Sequence, residues 1–198
     1  MGIAPKRIWG VALVSLVVLL VIAVGTRAVH GQAQHVRWDI ISLNAGIVAP
    51  GGIASARAND NSKITLTGSG TFVAPGGGAG SNASTTGGGT WVAFNSSGTK
   101  TGSGTYEVTG LVRWEQAPGT PPPVVDTIDD GQASGGLVVL RVLYSDGERG
   151  IVVVSCHFVG TPNSVFEGIT ASKGFVDYWN REGPAPGVDA DRTVFHVR

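Results

Sequence analysis

Gly68-Ser-Gly-Thr-Phe72, Gly87-Gly-Gly-Thr-Trp91 and Gly102-Ser-Gly-Thr-Tyr106 spell one pattern three times: Gly-x-Gly-Thr-aromatic. The copies begin 19 and then 15 residues apart, a hairpin-scale spacing and not that of a solenoid. Glycine inside a strand marks a bend, a bulge or a close backbone approach. Threonine favours the pleated strand that follows. A glycine beside a large residue on one face leaves a gap that an aromatic ring from the next strand can cover. Three consecutive strands built this way curl a sheet toward closure. The pattern therefore predicts a curved, closing sheet, with Gly70, Gly89 and Gly104 as bending points faced by aromatics.

The chain around the repeat agrees. Past the first thirty-odd residues, helical periodicity is almost absent. Short β-type runs are punctuated by Gly, Asn, Asp and Pro. Eight strands are expected, near His35–Leu43, Lys63–Ala74, Gly89–Phe94, Thr105–Gln116, Leu137–Ser145, Gly150–Val159, Phe166–Asp177 and Thr193–Val197. In the fourth, alternation puts Tyr106, Val108, Gly110, Val112 and Trp114 on one face. Asn44–Ser62 and Pro75–Gly88 read as loops of small residues. Ala117–Gly136 holds Pro118, Pro121, Pro122 and Pro123, then Asp126, Asp129 and Asp130, and its length marks it as a candidate functional loop. The expected fold is all-β: about eight antiparallel strands in a small up-and-down barrel, or failing that a β-sandwich, over residues 34–198.

The first 33 residues read differently. Lys6 and Arg7 precede the uncharged apolar run Ile8–Gly25, and small residues follow. This is the layout of an export signal. The run of eighteen residues also reaches the lower limit for a membrane span, so either a cleaved signal or a retained apolar helix is expected. Both place the domain outside the cell or on the outer face of its membrane. Without Lys6, Arg7 and Arg27 the remainder carries 11 basic and 14 acidic residues with no basic run, which excludes a nucleic-acid partner.

Gly89-Thr90-Trp91, with Asn95 and Gly98 and then Gly104-Thr105-Tyr106-Glu107, resembles the early hairpin of avidin-type barrels. Here the asparagine stands four residues after the tryptophan instead of two. The resemblance implies an eight-stranded barrel holding a small ligand in its mouth. The rest of the domain resembles uncharacterised exported bacterial proteins, which implies no activity.

Chemistry-bearing residues are sparse. Cys156 is the single cysteine, so no intrachain disulfide forms. It is expected to act as a small buried apolar residue, since its neighbour His157 must point to the opposite face of the strand. His35, His157 and His196 lack metal-ligand spacing, and the three aspartates read as a solvated turn rather than a calcium loop. No metal or cofactor is expected. The ligand-wall candidates are Tyr106, Trp114, His157 and Glu167, with Tyr178 and Trp179 from the densest aromatic cluster. Glu167, Lys173 and Asp177 read as a surface charge ladder. These features favour a non-enzymatic binder of a small molecule, glycan or protein. A small-barrel isomerase or cyclase acting on an apolar substrate is the enzymatic alternative, and a structural surface protein the third. The first two require an open lumen with a few converging polar groups.

Export has a direct check. Mass spectrometry of the protein from its native host should find a mature N-terminus between Ala28 and Gln34, or the full-length chain in the membrane fraction. Full-length soluble cytoplasmic protein would overturn it.

Overall fold

The computed structural model describes residues 33–74, 84–128 and 131–198. The expected apolar segment before the domain lies outside them. The strands are β1 (Gln34–Asn44), β2 (Ile47–Pro50), β3 (Ala54–Arg57), β4 (Lys63–Leu66), β5 (Ser69–Ala74), β6 (Gly88–Phe94), β7 (Lys100–Ala117), β8 (Val125–Asp126), β9 (Gln132–Tyr144), β10 (Arg149–Cys156), β11 (Gly168–Lys173), β12 (Val176–Tyr178), β13 (Asn180–Arg181) and β14 (Gly187–Val197). Every ladder is antiparallel except β2 with β8.

Ten of these fourteen pieces fall within the eight strands read from the sequence, and β2, β3, β8 and β13 are additional. β4 and β5 are one bent strand: Lys63↔Phe94, Leu66↔Trp91 and Ser69↔Gly88 continue a single register against β6. Along its other edge lie β3 (Ala54↔Leu66) and β1 (Trp38↔Gly70). β1 pairs with β14, β6 with β7, β7 with β9, β9 with β10, β10 with β11 and β11 with β12. The last residues of β14 pair with Gln132–Ser134 of β9, so the path β9–β14–β1–β5–β6–β7–β9 returns to its start. The sheet thus closes part of itself into a ring, as the barrel reading expects. Six strands make up this ring, with β10–β12 extending from β9 and β3 and β13 from β4, and a ring this small leaves an interior that side chains can fill.

They do fill it. Trp38, Phe72, Leu140, Tyr144, Ile169 and Phe195 are among the fully buried side chains. The rings meet edge to face: Phe72 on Trp114 at 5.3 Å, Trp114 on Phe195 at 4.7 Å, and Trp91 on Tyr144 at 5.9 Å. Such pairs contribute about 0.5–1.5 kcal/mol each beyond the area they bury.

The triple repeat explains how the rings fit. Trp38 stands opposite Gly70, Tyr106 opposite Gly89, and Trp91 opposite Gly104. Each of these glycines is the third residue of a repeat. Tyr106 crosses above Gly89 and donates its hydroxyl hydrogen to the carbonyl of Thr67 at 2.8 Å, one strand beyond. A methyl group on Gly89 would fall on the backbone oxygen of Thr67, and one on Gly70 on that of Thr86. Gly104 is the least confined of the three, because its Cβ would meet only the Ser145 hydroxyl and the Trp91 ring.

Three expectations are corrected. Asn44–Ser62 is not a loop throughout, since it holds β2 and β3. The Ala-Ser-Ala run of β3 lacks the β-branched residues that advertise a strand, yet all three are buried. In β7 the alternation fails after Val108. Bulges at Thr109 and Val112 each add one residue, so Leu111 turns inward and Val112 outward, and Trp114 returns to the interior. Finally, Gly174 (φ 57°) breaks Phe166–Asp177 into a tight hairpin. Lys173 lies on the inward face of β11 with Ile169 and Ala171, while Asp177, past the turn, is exposed, and the surface ladder does not exist.

Gly89→Ala should lower stability by about 3 kcal/mol, the upper end of the overpacking range, because backbone must move. Gly183→Ala, where a Cβ meets open space, should stay within about 0.5 kcal/mol of the parent. Urea unfolding of the three proteins decides this. Equal midpoints would show that the repeat glycines do not make room for the rings.

Candidate functional site

The six ligand-wall candidates do not come together. Tyr106 and Tyr178 are buried in the packed interior, and Trp114 packs against it. Trp179 is 71% exposed on the outside, beside Val139, Ile151 and Val153. His157 and Glu167 do meet, outside the barrel wall.

The interior is also closed at its mouth. Lys173 is buried with its ammonium over the rings of Trp91 (4.3 Å) and Tyr144 (5.3 Å). Asp146 accepts from its Nζ at 2.6 Å, and Glu148 holds it too. The paired carboxylates and the rings compensate the desolvation of that charge.

The polar groups of interest gather on the outer face of β1 and β14. A second apolar cluster, Ile41, Val48, Ile128 and Val194, forms there. The proline-rich segment after β7 makes its roof. That segment is pinned by Thr120 N–H to the Val159 carbonyl (2.9 Å), by the Thr161 hydroxyl to the Pro118 carbonyl (2.7 Å), and by Val125 N–H to the Gly46 carbonyl (2.9 Å). Between roof and wall is a cleft of about 240 Å³. Its apolar lining includes Ile41, Leu43, Pro121, Val124, Phe158 and Val194; its polar groups are Asp126, His157, Glu167, Arg192 and Thr193.

Glu167 is the hub of this cleft. It sits just before β11 and receives the backbone N–H of His157 on Oε2 (2.7 Å) and that of Thr193 on Oε1 (2.8 Å). It thus joins the end of β10, the start of β11 and β14. Burial pushes its carboxyl up to about 7, against those two N–H groups and the nearby charges of Arg192 and His157, which hold it down. His157 Nδ1 lies 2.7 Å from the Val165 carbonyl, an acceptor only, so the hydrogen is on Nδ1. The neighbouring Cys156 is fully buried, and burial raises its thiol well above the ordinary range, as expected of an inert cysteine.

Asp126, at the cleft edge, accepts from Ile128 N–H (2.9 Å) and lies 2.8 Å from His196 Nε2. Asp126 is exposed, as expected, but lies in β8 and not in a turn; Asp129 and Asp130 lie outside the described residues. Below it, Asp39 is fully buried in a two-bond pair with Arg37 (2.7 and 2.9 Å). Among the described residues no cluster of His, Cys, Asp and Glu is arranged to hold a metal ion.

Compared with family models, with curated proteins and with solved structures, the chain matches none. What the fold and cleft define is an all-β barrel with a filled interior and a polar-floored groove on its outer wall.

Nothing in the sequence marks Arg192 or Asp126 as ligand-facing. Arg192 sits in Asp189-Ala190-Asp191-Arg192, which has no motif, and Asp126 reads as one of three acidic neighbours with Asp129 and Asp130. The length and prolines of Ala117–Gly136 were the usable signal, and that segment does roof the cleft.

The raised Glu167 carboxyl has a pH consequence. The folded state holds this proton more tightly than the unfolded chain. Its contribution to stability is therefore full below about pH 4.5 and is lost as pH rises through about 7. The change is on the order of 3 kcal/mol. Urea midpoints between pH 5 and 8 should fall more steeply for the parent than for Glu167→Gln. Parallel profiles would show that Glu167 does not titrate in this window.

Proposed function

We propose that this is an exported, non-enzymatic barrel that binds a small apolar molecule in the cleft on its outer wall, not in its lumen. The observation that carries the reading is the contrast between the two spaces. The interior is occupied by Trp38, Tyr106, Trp114 and Tyr144 and stoppered by Lys173. The outer cleft combines apolar walls with five polar residues, the usual make-up of a small-molecule site. Its volume lies just below the ~300–1,000 Å³ of sites for drug-sized ligands, which favours a small ligand over a glycan chain or a protein. The avidin-type resemblance supports a ligand-holding barrel only in outline, since here the mouth is closed.

Export rests on Lys6-Arg7 and Ile8–Gly25. It puts the domain outside the cell, tethered if the apolar run is retained. The enzymatic alternative has one observation in its favour, a carboxyl near pKa 7 in an apolar cleft. Against it, both Glu167 oxygens are engaged by backbone N–H groups.

Octan-1-ol, octanoate and octylamine serve as small apolar probes, followed through backbone amide resonances. At least one of them should shift His157, Thr193 and Val194, and Val124→Trp should abolish the shift by filling the cleft. If every shift falls instead on Val153, Ala171 and Trp179, or none occurs, the cleft is not the site.

A further inference from the structure

The cleft's polar groups are not equivalent, and their differences bear on what it holds. Two of its residues are acids, yet both are already engaged. Glu167 spends one lone pair of each oxygen on a backbone N–H, from His157 and Thr193. Asp126 is committed to Ile128 N–H and to His196. Thr193 gives its hydroxyl hydrogen to the Ser155 carbonyl at 2.6 Å. His157 gives its Nδ1 hydrogen to the Val165 carbonyl.

Arg192 differs from all of these. It lines the cleft, and its Nε is buried with no acceptor among the described residues. Its charge acts on Glu167 only through space, holding that carboxyl down. A buried N–H donor left unsatisfied is costly, more so on a cation. A guanidinium is matched best by a planar, two-oxygen anion. The rest of the wall around it is Ile41, Leu43, Val124, Phe158 and Val194, which offers an apolar body nothing but van der Waals contact.

Building on the outer-cleft reading above, we infer that the ligand is a small amphipathic carboxylate, its hydrocarbon body lying against this wall and its carboxylate pairing with Arg192. The carboxylate supplies the acceptor that Arg192 Nε lacks, and the apolar body displaces water from the groove under Pro121 and Val124. An amine of the same shape would bring a second cation to Arg192 and leave the orphaned donor as it is.

Three probes with the same eight-carbon body separate this inference from the reading beneath it. Isothermal titration and amide shifts should rank octanoate first, with octan-1-ol at least ~10-fold weaker and octylamine weaker still. Arg192→Gln should reduce octanoate affinity by ~10-fold or more and leave octan-1-ol unchanged, so that the two bind alike. Arg192→Lys, which keeps the charge and guards against a folding defect in the first variant, should retain most of the preference for octanoate. If octan-1-ol and octanoate bind the cleft equally in the parent, or if Arg192→Gln leaves their ranking intact, the carboxylate assignment is overturned while the cleft stands. If no probe shifts His157, Thr193 or Val194, the cleft reading itself falls, and this inference with it.

Discussion

The passage of Tyr106 over Gly89 is the contact on which the rest of the barrel depends. The ring lies across a strand that has no side chain at that point, and its hydroxyl ends on the Thr67 carbonyl of the strand beyond. Three strands are thereby tied by one residue. Trp38 over Gly70 and Trp91 over Gly104 repeat the arrangement. Large rings facing missing side chains let the wall bend sharply while the interior stays filled, the two demands that closing a small barrel makes at once. The single cysteine is not available for a disulfide within the chain, so close packing of this kind and the ladders must hold the fold.

A filled interior moves the chemistry outward. Once the lumen is occupied, the remaining places for a ligand are where loops fold back over the wall. The proline-rich segment does this over β1 and β14, and proline suits the task because it fixes backbone direction without adding an N–H to satisfy. Glu167 then sets the position of the floor by holding the end of β10 and the middle of β14 through the N–H groups of His157 and Thr193. The same carboxylate that organises the site is thus one of the costlier groups in the protein to bury, a common condition of functional sites.

Much of this was legible in the sequence. The glycine repeat foretold both the closure and the aromatics that lie over it. Period-two alternation in Leu137–Ser145 puts Val138, Leu140, Val142 and Tyr144 on one face, and all four are buried. What failed to show was anything set by length and not by residue type. Ala54-Ser55-Ala56 pairs as a strand because β4 offers it an edge, and no propensity reveals that. Lys173 shares the inward face of β11 with Ile169 and Ala171, whereas a charge on a strand is ordinarily read as surface. Arg192 and Asp126 meet in the cleft through elements far apart in the chain, and a site assembled across such distances leaves no spacing to recognise.

The paired bulges of β7 have a consequence for how such a strand can change. Each inserts one residue, and each inverts the faces of everything after it; together they cancel, so that Trp114 rejoins Phe72 and Phe195. Losing one bulge alone would carry Trp114 to solvent and bring Arg113 toward the aromatic interior. Length in this strand therefore has a parity. Insertions and deletions between Val108 and Trp114 are neutral to the core only in twos, and a single-residue change must be answered by another before the barrel can close.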